Sequence, residues 1–336
     1  MSLDQNRSSE QNEINEETAS AKLFELGLDS NTENVATVIK LMKCAQHPQG
    51  YEDILKTLNN PDALKAAMQA KGIKSIVHSE GQTLWDHTEL SIKLIDAMNL
   101  SPEDKKKLKL IMLYHDLGKT EVWNNEKNTE ATAKKLKKGE LHLSMIGHAE
   151  AQTDAIKKGF ESNGVKGRDL DVSMTVVLNH MKTSLLEQDP KKTVSLVDTF
   201  GANEEERKQT LRLLCAALEA DGNSTEHLDL KEDGSLVASK NEKKLEINFD
   251  AVWAKYEEGL KLINAQKEQE GKKAAEGNIE QELFGMKLSD YLIKVRGVKP
   301  GPDMGKATKT IKGLLAANKD MPKDKLKELI DGTELA

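Results

Sequence analysis

The segment LKLIMLYHDLGK, residues 108–119, constrains this chain more than any other stretch. Leu108, Ile111 and Met112 form an apolar stripe at helical spacing, and His115 falls next on it, so its imidazole points toward a core. Asp116 follows at once and Gly118 ends the helix. Neighbouring side chains diverge by about 100° around a helix, so His115 and Asp116 can meet one ion only where the helix stops. A helix end suits metal binding, because its side chains have a rigid base and still reach open space.

Other segments repeat the arrangement. His87 opens LWDHTELSIKLI on the face of Leu90 and Leu94, and Asp221 ends the stripe Leu211, Leu214, Leu218. His148 is expected to begin a helix running through Ile156, and His180 ends the face Val172, Val176, Val177. Taken singly, each is an ordinary hydrogen-bonded boundary or cap residue. Taken together, His87, His115, Asp116 and Asp221 form a set of two imidazoles and two carboxylates. That set suits Mn²⁺, Fe²⁺, Co²⁺, Ni²⁺ or Zn²⁺, with Mg²⁺ also admitted. His148 and His180 raise the count to six ligands, enough for two ions. His47, His78, His142 and His227 lack the pattern and read as surface or boundary residues.

Helix signals surround these segments. Asn60-Pro61-Asp62 opens a helix that Gly72 stops, and Ser101-Pro102-Glu103-Asp104 opens the one ending at Gly118. Further helices are expected over 84–98, 144–161, 171–181, 204–221 and from Asp250. Residues 124–142, polar and lysine-rich, read as an exposed insertion. LDLKEDGSLVAS signals a hairpin about Asp233-Gly234, and LEINF a further strand. NAQKEQEGKKAAEGNIEQE reads as a polar linker. The fold class is mainly α: a helical bundle with a small β-hairpin insertion and a small C-terminal helical unit. The expected divisions are a disordered 1–18, a helical segment 19–72, a ligand-bearing domain 73–225, a hairpin, helix and linker 226–283, and a basic unit 284–336.

Composition excludes some classes. Aromatic residues are only 4% and the formal net charge is −7, so the whole chain is no general polyanion binder. Cys44 and Cys215 fit no redox or metal spacing. The polar, acidic first 20 residues lack a signal-peptide core, and no run of 18 apolar residues occurs, so a soluble, cytoplasmic protein without a membrane partner is expected. Residues 286–319 run against the overall charge, with eight Lys/Arg to two Asp. They are either an RNA-backbone footprint or a solvated face.

His87, His115-Asp116 and Asp221 resemble the ligand pattern of the HD (histidine–aspartate) metal-dependent phosphohydrolase superfamily. The likeness sharpens toward the HD portion of bacterial tRNA nucleotidyltransferases, the CCA-adding enzymes. It is carried by His78-Ser79-Glu80-Gly81 followed by His87-Thr88, GHAE at 147–150, NH at 179–180, EADG at 219–222 and KLSDYLIKVRGVKPGPDMGK at 287–306. The nucleotidyltransferase head is missing: residues 1–70 hold no Gly-Gly-x-x-Arg-Asp stretch, and the GRD at 167–169 is misplaced. Ser79 stands where the family has proline, so the loop 76–82 is expected to differ, and segments 124–142 and 226–248 are enlarged.

The resemblance implies an HD-type helical bundle, one or two divalent ions, and hydrolysis of phosphomonoesters, nucleotides or 2′,3′-cyclic phosphates, with tRNA or other RNA as a partner through 286–319. It gives Asp116 a catalytic role and lets Lys119 contact a phosphate oxygen, although Lys119 also suits a helix end as a dipole-balancing lysine. Two other functions remain open: a non-catalytic RNA-binding accessory protein, and a di-iron oxygenase of the same fold.

Overall fold

The computed structural model describes residues 14–78, 83–182, 189–238 and 245–335, within two compact units, Met1–Gly259 and Leu260–Ala336. The first unit runs α1 (Glu16–Glu25), α2 (Thr32–Lys43), α3 (Glu52–Leu55), α4 (Pro61–Lys71), β1 (Ser75–His78), α5 (Leu84–Asp96), α6 (Pro102–Tyr114), α7 (Lys119–Val122), α8 (Glu126–Lys137), β2 (Glu140–Leu141), α9 (Thr153–Ser162), α10 (Arg168–Asn179), α11 (Pro190–Val197), α12 (Glu204–Asn223), β3 (Glu226–Leu230) and β4 (Leu236–Ala238). Helix α13 (Phe249–Phe284) begins in this unit. The second unit adds α14 (Leu288–Lys294), α15 (Pro302–Ala317) and α16 (Lys323–Asp331). The fold is mainly α with a small sheet.

Helix α6 is the axis of the first unit. It packs against α2, α5, α9, α10 and α12. Leu108 and every residue from Leu110 to Tyr114 are buried, so the last turn and a half of α6 has no solvent face, as expected where a helix is apolar all round. Ser101 caps it by accepting from the Asp104 N–H (3.1 Å), with Pro102 in the first turn. The Asn60–Pro61 start and Gly72 stop of α4 also form, with Gly72 in the left-handed region at φ 66°. On α5 the buried face is Leu84, Trp85, His87, Thr88, Ser91, Ile92 and Ile95, whereas Leu90 and Leu94 are half-buried. The expected His87–Leu90–Leu94 stripe is thus displaced around that helix.

Several expectations are corrected. Residues 124–142 are mostly exposed, as expected, but they are anchored at buried points. Helix α8 is anchored by buried Asn128, which donates to Val122 O (2.8 Å) and accepts from Ile146 N–H (2.9 Å), and β2 buries Leu141 completely. Helix α9 starts at Thr153, so His148 sits in the turns before it rather than at a helix start. Residues 245–248 form no strand. The stretch 264–282 is helix rather than linker. Helix α1 begins at Glu16, capped by Asn15, inside the segment expected to be disordered, of which residues 1–13 lie outside the described residues. The Ser79 expectation also falls on residues outside those described.

The hairpin forms where Asp233-Gly234 indicates, with Gly234 at φ 78° and Asp233 Oδ1 accepting from Ser235 N–H (2.8 Å). It belongs to a larger sheet of order β2-β1-β3-β4, in which β1 pairs parallel with β2 and antiparallel with β3. Ile76, Leu141 and Leu228 face one side and pack with Ile54, Leu64 and Met68 of α3 and α4. The second unit has its own core of Leu283, Phe284, Leu288, Tyr291, Leu292, Ala307, Ile311, Leu326 and Ile330. There Arg296 donates to Ile330 O and Thr333 O, each at 2.7 Å. No helix among the described residues is long and apolar enough to cross a membrane.

Candidate metal centre

The ends of four helices meet at one place. His87 stands in the first turn of α5, His115 is the C-cap of α6 with Asp116 next to it, His180 is the C-cap of α10, and Asp221 lies in the last turn of α12. His148 comes from the turns before α9. Three helix C-termini thus aim the negative ends of their dipoles at this point, which favours a cation there. Gly118 lets the turn after Asp116 approach the His148 loop: a Cβ on it would lie 1.9 Å from His148 O.

Asp116 is the hub. Its Oδ1 lies 3.3 Å from His148 Nε2 and 3.6 Å from His180 Nε2. Its Oδ2 lies 3.3 Å from His115 Nε2, 3.5 Å from His87 Nε2 and 2.5 Å from Lys119 Nζ. Asp221 Oδ1 is 3.0 Å from His87 Nε2 and 3.6 Å from His115 Nε2. Two triads result, His87–His115–Asp221 and Asp116–His148–His180, and either could hold an ion.

The donor set fits metal on three further grounds. The separations match the edges of a coordination shell whose bonds are about 2.0–2.2 Å long. His115, His148 and His180 each place Nδ1 against a backbone carbonyl, of Met112 (2.7 Å), Met145 (2.7 Å) and Val177 (2.5 Å). In the neutral, metal-binding form of each ring that places the proton on Nδ1 and leaves Nε2 as the ligand atom. His148 and His180 then set two bare Nε2 atoms 3.0 Å apart, an arrangement that a cation between them would relieve. Finally, His87 Nε2, His115 Nε2 and Asp116 Oδ1 are buried without a hydrogen-bond partner, a costly state for a buried polar atom.

His87 differs in its outer contacts. Its Nδ1 meets Ser224 Oγ at 2.9 Å, and Ser224 Oγ in turn donates to the Asp221 carbonyl at 2.7 Å. Ser91 Oγ reaches Ser224 Oγ at 2.7 Å. Sequence reading missed these hydroxyls, for which only the spacing of Ser224 three residues after Asp221 gives a signal.

Charge is held tightly. Burial alone would lower the His115 pKa, but Asp116 and then Asp221 raise it to about 10 in the metal-free protein. Burial would raise the Asp116 carboxyl, yet His115 and Lys119 hold it well below the usual range. Asp221 is likewise held down, against burial, by His115 and His87.

A cavity of about 960 Å³ opens onto the centre. His87, His180, Asp221 and Lys119 line its metal end, and Met181, Leu218, Leu245, Ile247 and Val252 give it an aliphatic wall. His142 and His227, half-buried as boundary residues, also line it, whereas His47, read the same way, is buried. The structure therefore gathers all six expected ligands and Lys119. No family model, curated protein or solved structure matches the chain.

Proposed function

We propose that the protein is a metal-dependent phosphohydrolase of the HD class. The observation that carries the reading is buried Asp116, whose two carboxylate oxygens each face a separate histidine cluster, behind a cavity that His87, His180 and Asp221 line. His87, His115 and Asp221 would hold one ion and His148 and His180 a second, with Asp116 shared between them. Bound there, divalent ions would supply Lewis acidity toward a phosphoryl oxygen and a water acidic enough to attack near neutral pH. The chain's own residues orient and shield. Asp116 and Asp221 would balance the charge of bound ions, and the aliphatic residues give the substrate an apolar wall. Lys119, tied to Asp116 at 2.5 Å, places an ammonium at the cavity edge where a non-bridging phosphate oxygen would lie. Phosphomonoesters, nucleotides and 2′,3′-cyclic phosphates are the substrates this reading favours. The basic stretch 286–319 is proposed to hold RNA.

The test is a metal-by-substrate panel on the purified full chain. It scores phosphate release from p-nitrophenyl phosphate, nucleotides and 2′,3′-cyclic AMP with Mn²⁺, Fe²⁺, Co²⁺, Ni²⁺, Zn²⁺ and Mg²⁺. No turnover under any combination would remove the hydrolase reading. The same two clusters also suit a pair of irons that activate oxygen. A mixed-valent iron signal in aerobically purified protein, with oxygen consumed in place of phosphate release, would favour that second reading.

A further inference from the structure

The small sheet turns one face to the hydrophobic core and the other to the cavity. Side chains alternate along a strand, and the register fixes the partition. Ile76 pairs with Leu141 and Leu228, and all three pack into the core. One residue along each strand, Val77 pairs with His227, and the parallel register with β2 brings His142 beside them. These three side chains line the cavity. The two imidazoles lie edge to face, 6.1 Å between ring centres.

His142 has a fixed polarity. Lys135 Nζ, from the last turn of α8, lies 2.6 Å from His142 Nε2. An ammonium only donates, so Nε2 accepts and the hydrogen of the neutral ring resides on Nδ1. Burial, with Lys135 and then His227 and His47 beside it, lowers the His142 pKa to about 4, in keeping with a neutral ring. An N–H donor backed by a cation is suited to an oxyanion. The two carboxylates that line the cavity, Asp221 and Glu246, come from α12 and from the 245–248 segment, not from the sheet. The cavity is also too large for a lone phosphate, lying at the upper end of ligand sites of about 300–1,000 Å³.

We infer that His142, with His227 beside it and Lys135 behind it, forms a second anion-recognition point, so that the favoured substrates are phosphoesters carrying a further phosphate or carboxylate. The metal end takes the phosphoester that reacts, and the sheet takes the other anionic group. This inference rests on the proposed hydrolase reading for the role of the metal end. It also gives a use to the two enlarged segments, 124–142 and 226–248, since each contributes one imidazole to the same wall.

The experiment uses the full-length, Mn²⁺-loaded protein and two ligand pairs that differ by one phosphate: adenosine 5′-monophosphate against adenosine 3′,5′-bisphosphate, and fructose 6-phosphate against fructose 1,6-bisphosphate. Affinity is read as Kd by calorimetry, or as KM where turnover occurs, with phosphate release recorded in parallel. At least one bisphosphate should bind about tenfold or more tightly than its monophosphate, the effect of one hydrogen bond to a charged group. That ratio should collapse toward unity in His142→Ala at undiminished metal content. It should persist in part in His142→Asn, whose amide can donate from near the Nδ1 position. If His142→Ala fails to fold, Lys135→Met removes the cation without touching the sheet and should shrink the ratio. No bisphosphate preference in the wild type, or a preference that survives in His142→Ala, or in Lys135→Met where His142→Ala does not fold, overturns the inference. A preference that depends on His142 without phosphate release from any substrate would leave the inference standing and remove the hydrolase reading.

Discussion

Replacing Asp116 with Asn tests whether one carboxylate serves both clusters. Asn keeps the shape but removes the charge, and it turns one of the two acceptor atoms into a donor. The atom that becomes NH₂ faces either His148 and His180, which then lose their one carboxylate oxygen, or His115 and His87, which keep Asp221, all within 3.6 Å. In the second case His148 and His180 keep only a neutral carbonyl. Metal content should fall from two ions per chain to one or none, with the residual affinity lowered by about 100-fold, the upper end of what even an indirect ligand contact costs.

Stability moves as well. Lys119 loses the partner at 2.5 Å that offsets its burial. Breaking a buried pair costs about 3–5 kcal/mol, and half-buried Lys119, with Asp221 nearby, argues for the lower end. For a unit of this size about 1 kcal/mol shifts Tm by roughly 2–4 °C, so a drop of roughly 6–12 °C is expected. Lys119→Met in the Asp116→Asn background removes the stranded ammonium and should recover most of that drop without restoring metal. The assay is thermal unfolding in chelator for all four members of the cycle, beside elemental analysis of each. Two ions retained by Asp116→Asn, or a coupling below about 0.5 kcal/mol between the two sites, would refute the reasoning.

The other predictions are narrower. His115 is cationic in the metal-free protein up to about pH 10, so metal uptake at pH 8 should release close to one proton, visible as a buffer-dependent calorimetric enthalpy; no buffer dependence would contradict the site. Its pKa is raised above the ordinary 6.5, so its contribution to metal-free stability should be complete below about pH 6.5 and disappear as pH rises through about 10, as chelator-treated melts across that range will show. Ser224→Ala removes the oxygen that accepts from His87 Nδ1 and should weaken metal binding about 10- to 100-fold with the fold intact, as read by competition with a chelating dye. Gly118→Ala forces the His148 loop away and should cost at least about 1–3 kcal/mol, with a matching loss of metal. A chain ending at residue 282 lacks the whole core of the second unit and should lose salt-sensitive tRNA binding, while hydrolysis of a small cyclic nucleotide persists; equal tRNA binding by both forms would make 286–319 a solvated face.

The helical part of the site was legible because its signals are periodic and local. Leu108, Ile111 and Met112 lead to His115, and Leu211, Leu214 and Leu218 lead to Asp221, along stripes that the structure buries. The caps at Asn60-Pro61 and Ser101-Pro102 are equally local. The sheet was not legible. β1 has four residues and β2 two, too short to display alternation, and each is defined by partners far along the chain. Helix α8 escaped notice because polar side chains do its packing: Asn128 and Thr132 occupy buried positions where a stripe would show leucine. The stretch 264–282 has no apolar stripe in its sequence and so reads as linker, although the backbone is helical. His142 and His227 were passed over because their meaning depends on a register that no local pattern encodes.

The pairing of β1 with β3 also sets an order of assembly. Ser75 must wait for Asp229, near the other end of the first unit, before the cavity wall can close. A chain emerging from the ribosome will have presented His87, His115, Asp116, His148 and His180 before Asp221 appears, and β3 begins five residues after Asp221. Closing so long a loop carries an entropic cost that local helix packing does not. The last ligand and the central strand of the wall therefore arrive almost together, and until they do the nascent helices hold an incomplete set of donors. Completion of the His87–His115–Asp221 triad and closure of the cavity wall then become one late step in maturation, so a chain arrested before residue 221 would have neither, although Asp116, His148 and His180 would already be present.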